Sequence, residues 1–400
     1  MSNLPKGWEL VQFDKVCDIR DGTHDSPKYI ENGVPFITSK HLTDNGIDFT
    51  ETNYISEENH IEFSKRSKVD NGDILFGMIG TIGKPVIVNT DFEFSIKNVA
   101  LLKLSSNELL SNIYVLNLLK SNIIINQFLK LSNGGVQSFI ALGMIRKLKI
   151  PLPPIEEQKK IADILSTVDK KIAFVEENIN ATEELKKGLM QKLLTEGIGH
   201  TEFKDSELGR IPQSWEVVKF KEITKVRQGL QIPISKRKKE KCENCYEYIT
   251  IQFIKNNKEV EYIENPQKTV ICTENDILMT RTGNTGIVVT NVKGVFHNNF
   301  FLIDFDRNEI SKEYLVYYLN SNSIQKEILL RAGATTIPDL NHGDFYSIKF
   351  ISPPLEEQKQ IAEILSTVDN KLENLKEKKQ SFEELKKGLM QKLLTGEVRV

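Results

Sequence analysis

The chain is written twice. Pro153-Pro154-Ile155-Glu156-Glu157-Gln158-Lys159 returns 200 positions later as Pro353-Pro354-Leu355-Glu356-Glu357-Gln358-Lys359. The match runs without a gap through 164–169 and 364–369 and closes on an identical stretch, 183–195 against 383–395. Fainter echoes precede each copy: Pro5-x-x-Trp8 and Pro212-x-x-Trp215, Asp73-Ile74-Leu75 and Asp276-Ile277-Leu278, Gly80-x-x-Gly83 and Gly283-x-x-Gly286. Tyr114, Leu119, Ser121 and Asn122 likewise find Tyr314, Leu319, Ser321 and Asn322. The order is therefore variable, constant, variable, constant. The constant units agree at about two thirds of positions and the variable ones only at scattered scaffold positions. The differences between the variable units carry the information.

Each constant unit reads as helix. Pro153-Pro154 cannot lie inside one but can stand at its start, which places Glu156 and Glu157 in the first turn, where the macrodipole favours carboxylates. Ser166 or Thr167 is placed to cap a second helix. Along it Val168, Ile172, Val175, Ile179 and Thr182 fall at four-three spacing before Leu189 and Leu193 resume the seam. The second copy continues the pattern with Val368, Leu372, Leu375, Phe382, Leu389 and Leu393, interrupted by Lys379 where Ile179 stands in the first. Two such stripes in one chain are most simply buried against each other.

The variable units mix short β-like runs, 34–38, 73–79, 86–88 and 99–104, with one helical stretch over 109–131. Their counterparts are 248–253, 276–279, 286–289 and 300–305, then 314–330. The expected layout is two α/β (α+β) globules, 1–152 and 198–352, alternating with helical spacers, 153–197 and 353–400, in a pseudo-twofold repeat.

The totals fit this plan. A length of 400 residues suits two or three domains, and 39% apolar residues with 20 Phe and 10 Tyr can build real cores. The start lacks the basic stretch and apolar core of a signal peptide, and no run of 18 apolar residues occurs, so a cytoplasmic location is expected. Four cysteines, Cys17, Cys242, Cys245 and Cys272, are too few for a disulfide framework, and reduced thiols are expected. A net charge of -2 does not advertise nucleic-acid binding, because a protein working alone on DNA usually shows a basic excess.

A reactive constellation is not found. Residues 77–84 resemble a phosphate loop, but the spacing before Gly83-Lys84 is wrong and Pro85 replaces the required Ser or Thr. No Asn/Asp-Pro-Pro-Tyr/Phe run is present to hold a flipped adenine, and no Gly-rich turn to hold a nucleoside cofactor. Glu157-Gln158-Lys159 resembles half of a metal-nuclease motif but lacks a placed upstream Asp and reads as a solvated helix face. Cys242-x-x-Cys245 has no second close-spaced pair to complete a zinc site, and the six histidines form no close pair. Neither catalytic residues, nor a metal, nor a cofactor is expected.

The twofold Pro-Leu-Pro-Pro-x-Glu-Glu-Gln-x-x-Ile-Ala-x-x-Leu, with Glu-Leu-Lys-Lys-Gly-Leu-Met-Gln-Lys-Leu-Leu-Thr behind it, resembles the specificity subunits of type I restriction-modification systems. The likeness extends to Pro-x-x-Trp-x-x-Val at the head of each variable unit and Leu-Leu-Thr-Gly-Glu at 393–397. It implies a non-catalytic DNA-binding subunit whose variable units are target recognition domains, each reading half of a split sequence. It also implies an antiparallel helical spacer, two modification subunits that methylate adenine, and ATP-dependent restriction subunits as partners. The alternatives are a self-sufficient methyltransferase or nuclease and a plain coiled-coil scaffold. Helix over 168–194 would span about 40 Å, close to the roughly 34–36 Å of one DNA turn, so the spacer can act as a ruler.

Shared binding with partners also makes the acidic balance less of an obstacle, since only local basic surface is needed, and Lys236-Arg237-Lys238-Lys239-Glu240-Lys241 supplies some. Base reading needs donors and acceptors on exposed loops. The candidates are Thr23, His24, Lys28, Ser39, Lys40, Gly80, Thr81, Gly83 and Lys84 in the first unit. In the second they are Gln228, Lys236, Arg237, Arg281, Thr282, Gly283, Asn284 and Thr285. The glycines serve either close backbone approach to phosphate or turn geometry.

Overall fold

The computed structural model describes residues 4–78, 83–131, 139–256, 260–333 and 338–400. The chain divides into two compact units, 1–177 with 376–400, and 178–375. Both boundaries fall inside long helices, Ile155–Glu196 and Leu355–Thr395. Each unit thus owns one variable globule, the start of one long helix and the end of the other.

In the first unit a four-stranded antiparallel sheet has the order Asp18–Asp21, Val99–Lys103, Ile74–Gly77, Pro85–Ile87. Its side chains alternate between two cores, as the period of two requires. Ile74, Phe76, Ala100 and Leu102 join the core under the helices, while Leu75, Val99 and Leu101 join a second core with Ile37, Phe94 and Ile96. The second unit repeats this with Thr224–Gln228, Phe300–Phe305, Ile277–Thr280 and Val288–Val289. Ile277, Met279, Phe301 and Ile303 face one core there, and Leu278, Phe300 and Leu302 the other. A smaller mixed sheet flanks each: Val34–Ile37 pairs with Asn53–Ile55 and Ser95–Ile96, and Cys245–Ile249 with Tyr262–Glu264 and Gly294–Phe296.

The long helices run antiparallel. In the first unit Lys386 pairs with Asp169 at 2.6 Å and Lys379 with Glu176 at 2.9 Å, while Lys171 lies over the Phe382 ring. Lys186 pairs with Asp369 at 2.5 Å in the second. Lys379, which interrupts the apolar seam, is thereby neutralised by Glu176. Val168, Val175, Ile179, Thr182, Leu193, Val368, Leu372 and Leu393 are all buried.

Four sequence expectations are corrected. Each constant unit is one continuous helix: Thr167 is not a cap, and its hydroxyl donates to the Asp163 carbonyl one turn back at 2.8 Å. The stretch 109–131 is two helices, Asn112–Leu119 and Asn122–Leu131, because Ser121 turns back to bond the Leu118 carbonyl; Lys312–Leu319 and Asn322–Ala332 break alike at Ser321. The run 248–253 ends its strand at Ile249 and turns into the helix Ile251–Asn256. Cys242 and Cys245 are joined to each other, since the turn between them brings their Cα atoms to 5.1 Å, within disulfide range. Cys17 and Cys272 stay free thiols, pushed up to about 12 and about 11 chiefly by burial.

The Glu-Glu-Gln of each constant unit is a clamp rather than a solvated face. Gln158 is fully buried, accepting from Ser111 N–H and donating to the Leu109 and Pro153 carbonyls; Gln358 does the same with Ser311, Glu309 and Pro353. Glu157 accepts from Trp8 Nε1 at 3.1 Å and from Arg399 at 2.8 Å, and Glu357 from Trp215 Nε1 at 2.8 Å and pairs with His200 at 2.7 Å. The two tryptophans of the sequence echo therefore lock each globule onto its helix. Arg399 holds the Glu157 carboxyl below its ordinary range, aided by Trp8 and opposed by burial. Its stabilisation is thus complete above the unfolded carboxylate pKa and lost as pH falls through the lower folded value. Glu157→Ala is expected to cost the first unit about 1–3 kcal/mol. Hydrogen exchange in 1–177 should show that difference shrinking on acidification.

Candidate nucleic-acid interface

Strand register gathers the candidate loops at one end of each main sheet. Asp21 pairs with Ala100 and Gly77 with Val99, so the loops leaving Asp21 and Gly77 and the turn entering Val99 emerge together. Gln228 with Phe301 and Thr280 with Phe300 place the corresponding three loops in the second unit.

The first loop is held the same way in both. It leaves through Gly22 or Gly229, where a Cβ would collide with the Ile96 or Phe296 carbonyl. It then returns to an antiparallel bridge, Ile30 with Tyr54 or Lys238 with Tyr262. Just before the bridge Tyr29 packs on Phe36, and Arg237 lies 5.0 Å over the Tyr248 ring. Two residues before each bridge stand Lys28 and Lys236, both exposed and without an ion-pair partner among the described residues. The structure thus makes equivalent two lysines that no sequence echo connects.

The remaining candidates separate by what they already bond. Exposed His24 lies 3.0 Å from the Asp21 carboxylate and 2.6 Å from Asn98 Oδ1, and Arg66 also pairs with Asp21. Buried Thr23 bonds Asp25, and buried Ser39 donates to the Asn98 carbonyl. Lys40 is exposed, and Lys84 reaches Asp44 at 3.3 Å beside the exposed Gly83. Gly80 and Thr81 lie outside the described residues.

In the second unit Gln228 donates to the Asn298 carbonyl at 3.1 Å. Arg237 donates to Ile232 O and Glu261, and Arg281 to Leu340 O and Asp339, so both guanidinium groups serve as buttresses. Thr282 bonds Asp339, and buried Thr285 bonds the Arg281 and Pro338 carbonyls. Gly283 and Asn284 form the exposed tip. Lys239 and Lys241 are exposed and unpaired among the described residues, whereas Lys238 pairs with Glu264.

Sequence reasoning missed the asparagines at this end. Asn98 adopts a φ of 52°, a conformation Asn tolerates better than most residues, and orients His24. Asn298 Oδ1 is buried with no hydrogen-bond partner among the described residues. An Asn preceding each central strand was the available signal.

A model of the family described as type I restriction modification DNA specificity domain matches residues 5–184 and 212–384. The chain belongs to this family. A Methanocaldococcus jannaschii chain named as the MjaX type I restriction enzyme specificity subunit is 32% identical, the match covering 100% of this chain and 96% of that one. The MjaVIII specificity subunit of the same organism is 29% identical over 99% and 94%. Among solved structures, a chain from work on assembly and conformational transition of the type I R-M system superposes with a TM-score of 0.66 at 18% identity, covering 100% of both. The specificity subunit of Thermoanaerobacter tengcongensis gives 0.52 at 19%, over 99% and 98%.

His60 lies 2.9 Å from Ser95 Oγ and 3.2 Å from Glu93, the residue types of a hydrolase triad, and Ser95 is only 3% exposed. Among the described residues no three of His, Cys, Asp and Glu stand together as metal ligands. Nor is any helix there long and apolar enough to cross a membrane.

Proposed function

We propose that this specificity subunit reads a split DNA sequence in the cytoplasm, each unit taking one half, and that it brings modification and restriction subunits to that sequence while performing neither reaction. The observation that carries this is the pair of loop clusters at corresponding sheet ends, alike in backbone plan and different in side chains. Lys28 and Lys236 supply phosphate contacts, Lys40, Lys239 and Lys241 add local positive potential, and His24, Gln228 and Asn284 face base edges. Arg237, Arg281, Thr23, Ser39 and Thr285 shape the loops that present them.

The purified chain alone is expected to show no methyl transfer to DNA and no DNA cleavage. Adding its modification subunits and S-adenosylmethionine should produce adenine methylation at sites of two parts separated by a fixed gap. Turnover by the chain alone, or methylation at continuous sites, would overturn the reading.

A further inference from the structure

The loop from Gly229 to the Lys238 bridge in the second unit is held from inside and bare outside. The Tyr248 hydroxyl accepts from Ile232 N–H at 2.9 Å and donates to the Leu230 carbonyl at 2.8 Å, and Arg237 Nε donates to the Ile232 carbonyl at 2.8 Å. Ile232 itself is buried with Tyr248, Ile263, Val270 and Val295. Beyond it the chain makes one tight turn, in which Lys236 N–H donates to the Pro233 carbonyl and Arg237 N–H to the Ile234 carbonyl. Ile234 stands on that turn with 77% of its surface exposed, two residues before Lys236, whereas Leu230 at the root of the loop is 43% exposed.

A lone exposed isoleucine is ordinary on a protein surface. This one is fixed in place: both backbone groups of Ile232 are bonded and the turn after it is closed, so Ile234 cannot fold inward without breaking those bonds. The first unit places a different residue at the same station. Counting back four from each bridge, at Ile30 and Lys238, gives Ser26 and Ile234. Ser26 is exposed too, and its hydroxyl accepts from Lys97 Nζ at 2.5 Å. The station therefore carries a hydrogen-bonding group in one unit and a bare apolar group in the other.

We propose that Ile234 reads a thymine of the second half-site by packing on its C5-methyl group in the major groove. Among the groups that base pairs present there, that methyl is the apolar one, so an isoleucine held out into solvent has one complementary feature on a base edge. Lys236, two residues on, fixes the register by contact with phosphate. The assignment rests on the DNA reading above and deepens it by naming a base.

Binding of the complete complex, with its modification subunits, to duplexes in which each thymine of the second half-site is replaced in turn by deoxyuridine tests it, because that change removes the methyl and keeps the pairing. Wild type is expected to lose roughly threefold to tenfold in affinity at one thymine. Ile234→Ala should bind the unmodified duplex more weakly by a similar factor and lose that one sensitivity, while Ile234→Val keeps most of it. Unchanged discrimination at the first half-site shows that the variant is folded. The proposal is overturned if wild type tolerates deoxyuridine throughout the second half-site, if Ile234→Ala keeps every sensitivity of wild type, or if it weakens all duplexes alike, as loss of an apolar wedge between base steps would. A wild-type complex that binds no split sequence would instead remove the DNA reading itself, and this proposal with it.

Discussion

Four residues inserted into each long helix, at 178–180 and at 375–377, are expected to widen the gap between half-sites by one or two base pairs and leave both half-site sequences unchanged. Four helical residues add about 6 Å, close to two base-pair steps of roughly 3.4 Å each. Both helices need the insertion because ion pairs fix their register on each side of these positions. Lys386–Asp169 and Lys379–Glu176 lie in the first unit, and Lys186–Asp369 in the second. Lengthening one helix alone leaves one of these sets displaced by a turn. A four-residue insertion is a stutter that locally unwinds a coiled coil without moving the seam off its face, so the variant should fold. Methylated sites mapped with an unchanged gap would show that these helices are not the ruler.

The repeat made the architecture readable, together with two local signals: the four-three seam of the long helices and the short continuous apolar runs 74–77 and 99–103, whose strands are buried on both faces. What stayed hidden depends on contacts between residues far apart in sequence. Glu157 looked like a solvated first-turn carboxylate, and only the fold brings Trp8 and Arg399 to it across 149 and 242 positions. Arg237 and Arg281 have the right chemistry for base reading, yet Glu261 and Asp339 engage them. Composition cannot separate a guanidinium that reads a base from one that braces a loop. The equivalence of Lys28 and Lys236 was invisible for a related reason: it is set by the bridges to Tyr54 and Tyr262, not by any shared motif.

Replacing residues 1–152 with the corresponding segment of a relative is expected to change one half-site completely and spare the other. The exchange carries both members of the closing strand pair, Glu9–Gln12 with Lys149–Leu152, and ends just before the helix start that Gln158 pins. A donor that keeps tryptophan at the Trp8 position should dock on Glu157 as the native segment does. Nothing in 178–375 is altered, so the second cluster, with Gln228, Lys236 and Asn284, keeps its shape. Genome-wide adenine methylation mapping in cells carrying the complete system with this exchanged chain tests the central claim most directly. A new first half, the old second half and an unchanged gap are the predicted result. A change in both halves, or in neither, would contradict independent reading by two units.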